Sequence, residues 1–424
     1  MTWIIVTAFL VLLVLGVPIP FVLGLASLLF FALDGFLPMA LIPQRLFTAT
    51  DSFPMMAVPL FMLVGALMNA GGISHRLIRF SRALVGHITG GLAHVNILAS
   101  VFFAGISGSA AADASALGSI LIPAMVRGGY TAQFSAAVTA SSSLIGPIIP
   151  PSIPLILYGV IAGTSISALF VAGIVPGLLM ALTQMLVAWW ICRREGIGGE
   201  GRVSWRELVD SFKEASFGLL LPVLILGGIL GGVFTPTEAA AVGVLIAFII
   251  GKFIYREFTW RQVPEALTSA AISTGVVMLV IGFSQGLAFV LASQQVPQQV
   301  AAAMLGLTDQ GWLLVLLLII VLLLVGTFLE PAAALIILTP VLLPLARQLG
   351  MDLIHFGVLM VLGLVIGLVT PPVGTCLFIV TSISRLRLEQ VARALLPFLA
   401  ACVVVLLIVA YVPAVSLWLP GLFR

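Results

Sequence analysis

The helix-breaking residues of this chain recur, without a gap, at an offset of 221 positions. Gly65 pairs with Gly286, Gly105 with Gly326, Pro123 with Pro344, Gly129 with Gly350, Gly146 with Gly367, Pro150-Pro151 with Pro371-Pro372, and Pro176 with Pro397. The stretches 105–180 and 326–401 each hold six prolines; random placement predicts roughly 0.5 coincident pairs, and four are found. The chain is therefore a duplication, and each copy breaks its secondary structure at matching places.

Composition sets the solvent in which the two copies fold. At 62% hydrophobic and 8% charged residues, with a mean hydropathy of +1.28, there is too little polar surface to cover a water-soluble globule. The chain is expected in a bilayer. No Lys or Arg precedes Arg45, so the apolar start lacks the basic region of a cleaved signal peptide and is expected to remain as a membrane segment. Cys192, Cys376 and Cys402 lie scattered in apolar runs without metal-ligand spacing and read as packed thiols. Nothing in the net charge of +3 calls for nucleic acid.

A helix needs roughly 20 residues to cross about 30 Å of hydrocarbon. Apolar runs predict spans near 3–16, 19–33, 54–71, 131–163, 166–192, 217–234, 237–254, 270–292, 353–382 and 396–419. Two further runs, 89–126 and 311–347, are too long for one simple helix. They are interrupted centrally by GISGS at 105–109 and by GTFLEP at 326–331, and read as re-entrant helical hairpins. The runs 131–163 and 353–382 are broken by Pro-rich segments and read as discontinuous helices. Amphipathic stretches near 39–50 and 255–269 are expected along the interface. Six tryptophans, Trp189, Trp190, Trp205, Trp260, Trp312 and Trp418, fall near segment ends, where interfacial rings concentrate.

Basic residues test this layout, because cytoplasmic loops are enriched in Lys and Arg. With both hairpins re-entrant, fifteen of the eighteen fall on one side; Arg45, Arg347 and Arg424 fall on the other. The same layout gives each half an odd number of crossings. The fold class expected is thus an all-α polytopic membrane protein, an inverted-repeat secondary transporter. The first repeat spans 1–200 (hairpin 89–126, broken helix 131–163), the cytoplasmic linker 201–216, and the second repeat 217–424 (hairpin 311–347, broken helix 353–382). Both termini are expected outside.

Two acids interrupt the apolar depth: Asp113 and Glu330, each just past a hairpin break. An intramembrane acid is expensive and usually functional, although each could instead cap a helix N-terminus. The four broken segments share a further property: Gly and Pro leave backbone carbonyls and amides unpaired where water cannot reach. Carbonyls with the hydroxyls of Ser107, Ser109, Ser142, Ser143, Thr327 and Thr370 suit a sodium ion, and half-helix N-termini can receive a carboxylate. Proline-kinked helices satisfied by neighbouring hydroxyls are the alternative. His94 and His355 sit near predicted ends and read as satisfied side chains rather than ligands.

At these motifs the chain resembles the large membrane subunit of the tripartite ATP-independent periplasmic (TRAP) transporters. The likeness covers essentially the whole chain: AVPLFMLVGALMNAGG at 57–72, GISGSAAADASALGSILIPAM at 105–125, GPIIPPSIPL at 146–155, TPTEAAAVG at 235–243, GTFLEPAAALIILTPVLLP at 326–344 and GLVTPPVG at 367–374. The resemblance implies a sodium-driven elevator in the bacterial inner membrane, with a separate small membrane subunit of about four spans and a periplasmic binding protein that delivers an organic acid. It implies no cofactor beyond sodium as coupling ion. One sodium site is implied at Ser107, Gly108, Ser109, Ser143, Gly146 and Pro150, and its repeat partner at Gly326, Thr327, Glu330, Thr370, Pro371 and Gly374. The substrate carboxylate is implied between the hairpin tips, near Ser107, Ser109, Asp113, Ser152, Thr327, Thr370 and Thr375.

Two other functions compete. A stand-alone sodium-dicarboxylate carrier of similar architecture would need no partners. An intramembrane serine protease is suggested by the GxSG spelled at 105–108, but its Ser needs a His base within reach, and no histidine is expected at that depth. No catalytic residue is therefore assigned.

Overall fold

The computed structural model describes all residues except 1–3, 5, 6, 10, 13, 14, 35–37, 202, 261, 309, 372 and 424. Part of the span predicted at 3–16 (residues 3, 5, 6, 10, 13 and 14) lies outside the described residues. In the first copy the helices are α1 (Ile19–Asp34), α2 (Leu41–Thr50), α3 (Ala57–Ala70), α4 (Ile73–Val85), α5 (Gly91–Ser107), α6 (Ala110–Arg127), α7 (Ala132–Ser143), α8 (Ile153–Ala162) and α9 (Ile166–Glu195). The second copy holds α10 (Trp205–Leu230), α11 (Pro236–Ile249), α12 (Gln262–Ser293), α13 (Val296–Leu307), α14 (Gly311–Phe328), α15 (Pro331–Gln348), α16 (Leu353–Gly367), α17 (Thr375–Ser384), α18 (Leu388–Tyr411) and α19 (Ala414–Gly421).

The hairpins and the broken helices form where the Gly and Pro residues lie. Helix α5 ends at Gly108 in the left-handed region, and Ser109 restarts the chain as N-cap of α6, accepting from the Ala112 amide. Helix α7 stops at Ser143; Pro147, Pro150 and Pro151 cannot continue a hydrogen-bond ladder, and Ser152 caps α8 by accepting from the Leu155 amide at 3.2 Å. In the second copy α14 and α15 meet at Leu329-Glu330, and α16 and α17 are separated by 368–374, where Gly374 has positive φ.

The contacts between copies are reciprocal. Half-helix α8 packs on hairpin arm α15, and α17, its counterpart, packs on hairpin arm α6. Likewise α3 packs on α11 while α12 packs on α1. Such exchange is what a pseudo-twofold arrangement of the two repeats produces. Tyr158 ties the copies further: it is fully buried, and its hydroxyl donates to the Leu353 carbonyl at 2.7 Å.

Nine helical segments among the described residues are long and apolar enough to cross a membrane. The outer faces stay apolar: Leu178, Leu182 and Leu186 form an exposed i, i+4 stripe on α9, as a lipid-facing helix requires. Trp205, Trp260, Trp312 and Trp418 are exposed near helix ends. The three cysteines are buried and free.

Several boundaries differ from those predicted. The stretch 201–216 is largely helical, because α10 starts at Trp205 with Ser204 as its cap; its charged first turns hide the continuity with 217–230. The stretch 255–269 contains no separate interfacial helix, since α12 runs unbroken from Gln262 to Ser293. The last predicted span divides into α18 and α19. Helix α4 was not predicted at all. It is strongly amphipathic, and one stripe of its polar face pairs Arg76 with Glu257, Arg79 with Glu214 and Arg82 with Glu200, each at 2.6 Å. The hydrogen bond that Arg82 donates to Glu200 holds its guanidinium above its usual pKa.

Candidate functional site at the hairpin tips

The two hairpin tips meet. A cavity of about 80 Å³ is lined by Gly108, Ser109 and Ala110 from the first tip, by Glu330, Pro331 and Ala332 from the second, and by Pro147, Pro154, Leu368 and Thr375 from the broken helices. Met62 of α3 and Val277 of α12 close its side. A larger cavity, about 210 Å³, adjoins the first tip and brings Ser107 and Ser109 to Asn69 of α3 and Ser269 and Ser273 of α12.

The two acids have different surroundings. Asp113 is completely buried and does not cap α6, the role that Ser109 fills. Instead one carboxylate oxygen accepts the Ser107 hydroxyl across the break, and the other, Oδ2, has no hydrogen-bond partner among the described residues. Gly146 lies against that carboxylate; a Cβ there would come within 2.2 Å of Oδ2. Glu330 occupies the N-cap position of α15, with the Ala332 and Ala333 amides as its polar neighbours, and its side chain opens to the cavity.

The predicted hydroxyls share one orientation. Ser143 donates to the Ala140 carbonyl at 2.8 Å, Thr327 to Leu324 at 2.7 Å, Thr370 to Ile366 at 2.9 Å, and Ser152 to Pro147. Each hydroxyl proton is used locally, so its oxygen remains available as an acceptor or a cation ligand. Ser143, Gly146, Pro150 and Ser152 are buried in the first break; Gly326, Thr327 and Gly374 are buried at the second tip, whereas Pro371 and Thr375 are exposed. The second tip touches its broken helix backbone to backbone: a Cβ on Gly367 would stand 2.2 Å from the Gly326 carbonyl carbon, and the Gly374 amide donates to the Thr327 carbonyl at 3.4 Å.

Sequence reasoning missed a buried polar bridge between α5 and α7. Asn96 donates to Thr139 at 2.7 Å and accepts from Ser142 at 3.2 Å, while Ser100 donates to Ser142 at 2.9 Å. The signal was present, since Asn69 and Asn96 are the only asparagines of the chain and both fall in apolar helices. No histidine supports a Ser107 nucleophile. The partner of Ser107 is a carboxylate, His94 is bonded to the Thr89 carbonyl, and His355 to Ser416.

The sequence matches the family described as tripartite ATP-independent periplasmic transporter, DctM component, over residues 6–415. The chain belongs to this family. It is 42% identical to the sialic acid TRAP transporter large permease protein SiaM of Vibrio cholerae, covering 96% of each chain. It is 42% identical to the C4-dicarboxylate TRAP transporter large permease protein DctM of Pseudomonas aeruginosa, covering 94% of this chain and 92% of that one. To the isethionate TRAP transporter permease protein DctMQ of Oleidesulfovibrio alaskensis it is also 42% identical, but spans 65% of that protein's length. The crystal structure of the Alcanivorax borkumensis YdaH transporter shares the fold, with a TM-score of 0.61 at 15% identity over 89% of this chain and 86% of that one. This chain is thus a multi-pass permease subunit of a transporter, and its relatives bear transport names rather than enzyme names.

Proposed function

We propose that this chain is the large permease subunit that carries an organic acid into the cell with sodium as coupling ion, by an elevator movement of the two hairpins and two broken helices against the remaining helices. The observation that carries this reading is the meeting of both hairpin tips and both broken helices at one cavity, with Ser109 on one side and Glu330 on the other. Hydroxyl oxygens with committed protons, together with carbonyls freed by Gly and Pro, are hard oxygen ligands of the kind an alkali cation takes. The relatives' names include C4-dicarboxylate, sialic acid and isethionate, so an anionic cargo is common to them and its identity varies.

In this reading the sodium sites lie at Ser107, Ser109 and the 143–150 break, and at Gly326, Thr327, Glu330 and the 370–374 break. A separate small membrane subunit and a periplasmic binding protein complete the system in the inner membrane, with the basic loops inside and both termini outside. The repeats divide near 200 and 217. The test is uptake of a labelled acid into proteoliposomes holding the permease subunits. Uptake should require an inward sodium gradient and the binding protein, and no ATP. Uptake that persists without sodium, or that the chain performs alone at full rate, would refute the reading.

A further inference from the structure

Helix α12 acts as a ruler through the centre of the protein, because it lines each of three cavities in turn. Ser269 and Ser273 face the cavity of about 210 Å³, Val277 the inter-tip cavity, and Gln285 and Ala288 a third cavity of about 360 Å³. Two other helices lead to the same place: α8 from Ile153 and Pro154 at the tips to Val160 and Ile161, and α15 from Pro331 to Pro340. Seven to nine residues on each helix separate the two cavities, about 10 to 14 Å at 1.5 Å per residue. The third cavity therefore lies directly beyond the tips, on the side away from Ser269.

Its polar lining is Arg45 and Thr48 of α2, Ser52, and Gln285. Arg45 stands 4.7 Å from the Phe289 ring centroid, and no acidic side chain pairs with it among the described residues. The arginines of α4, by contrast, are all paired. Ser52 has a buried hydroxyl without a hydrogen-bond partner. A guanidinium stacked on an aromatic ring, with its forked N–H groups uncommitted and hydroxyl and amide donors beside it, is a receptor for a carboxylate or another oxyanion.

We propose that this cavity is an outer receiving site, where Arg45, with Ser52 and Gln285, binds the anionic group of the substrate before it moves along α8, α12 and α15 to the hairpin tips. The proposal rests on the organic-acid transport reading and adds to it a site remote from the tips. It also supplies a fixed positive charge to a path whose inter-tip cavity has no Lys or Arg among its described lining residues.

The test uses the complete transporter in proteoliposomes with its binding protein, offered labelled succinate, N-acetylneuraminate and isethionate. With whichever acid the wild type accumulates, Arg45→Gln should raise the concentration for half-maximal uptake roughly tenfold or more, the loss expected for a charge-assisted contact, and leave the maximal rate within about twofold. Arg45→Lys should fall between, because a point charge replaces a fork. Wild-type half-saturation should rise with ionic strength, and that dependence should flatten in Arg45→Gln. An unchanged half-saturation in Arg45→Gln overturns the inference alone. So does a Phe289→Leu variant that reproduces the whole effect with Arg45 present, or a variant whose only defect is a lower melting temperature in anionic-lipid vesicles, which would assign Arg45 to a lipid phosphate. A wild-type complex that accumulates none of the three acids overturns the transport reading and this site with it.

Discussion

Replacing Ser107 by Ala removes the one hydrogen bond that Asp113 makes across the break of the first hairpin. Asp113 is 0% exposed, Ser107 is 7% exposed, and the second carboxylate oxygen already has no hydrogen-bond partner among the described residues. Water cannot readily replace the lost hydroxyl. A hydrogen bond to a charged partner contributes about 1.5 to 3 kcal/mol, which corresponds to roughly tenfold to hundredfold in an equilibrium constant. Thr327, at the second tip, donates to the Leu324 carbonyl of its own helix, a neutral bond of about 0.5 to 1.5 kcal/mol. Sodium activation of uptake in proteoliposomes should therefore shift by roughly tenfold or more in Ser107→Ala, and by distinctly less in Thr327→Ala. Melting temperature measured on the same samples separates an ion-site effect from misfolding. Adding Asp113→Asn to Ser107→Ala should cost less than the two single effects combined, since both remove the same contact. Wild-type sodium activation and melting in Ser107→Ala would refute the reasoning, as would a Thr327→Ala defect of equal size.

Three further outcomes are expected. Gly367→Ala places a Cβ 2.2 Å from the Gly326 carbonyl carbon, so it should lower thermal stability by about 1 to 3 kcal/mol and impair uptake; an unaltered protein would show that the second tip does not rest on the broken helix. Asn96→Ala should destabilise by about 1 to 3 kcal/mol by removing the buried amide that bonds Thr139 and Ser142, read as a fall in melting temperature that Asn96→Leu does not repair. In a background lacking the native cysteines, Gln298→Cys should react with an impermeant maleimide from outside, while Arg82→Cys, Arg194→Cys and Arg256→Cys should not; outside labelling at Arg194→Cys would overturn the orientation.

The breaks were legible because Gly and Pro act locally: no backbone ladder continues through Pro147, Pro150 and Pro151, whatever packs around them. The duplication was legible for the same reason. What the sequence concealed depends on partners distant along the chain. Helix α4 looks like a soluble loop until Glu200, Glu214 and Glu257 are brought to its arginines. The polar residues opposite the first tip, Asn69, Ser269 and Ser273, come from two helices about 200 positions apart. Ser269 was hidden further by the polar start of α12, which its amphipathic pattern assigned to the interface, and Ser273 by its place inside an apolar span. Capping, one of the two readings left open for Asp113, passes instead to Ser109, while Asp113 turns inward to Ser107.

That exchange bears on how far the internal repeat extends into chemistry. At the offset of 221, Asp113 corresponds to Ala334 and Glu330 to Ser109, so neither acid has an acidic counterpart. The backbone is duplicated, with a tip, a break and a reciprocal packing partner in each copy, but the charges are placed differently within it. In the first copy the carboxylate is sealed behind Ser107 and Gly146; in the second it opens to the cavity shared by both tips. The hydroxyls are not repeated either, since Ser107 corresponds to Phe328, Ser143 to Leu364 and Thr370 to Ile149, so two cations at the two tips would meet similar backbone breaks but different side-chain oxygens and carboxylates of different access. Burial without a full set of partners makes the Asp113 charge costly unless a cation accompanies it, whereas Glu330 can exchange with the cavity contents. The asymmetry follows from side-chain differences within a repeated backbone frame, so a cation leaving the first tip would leave behind the less compensated carboxylate.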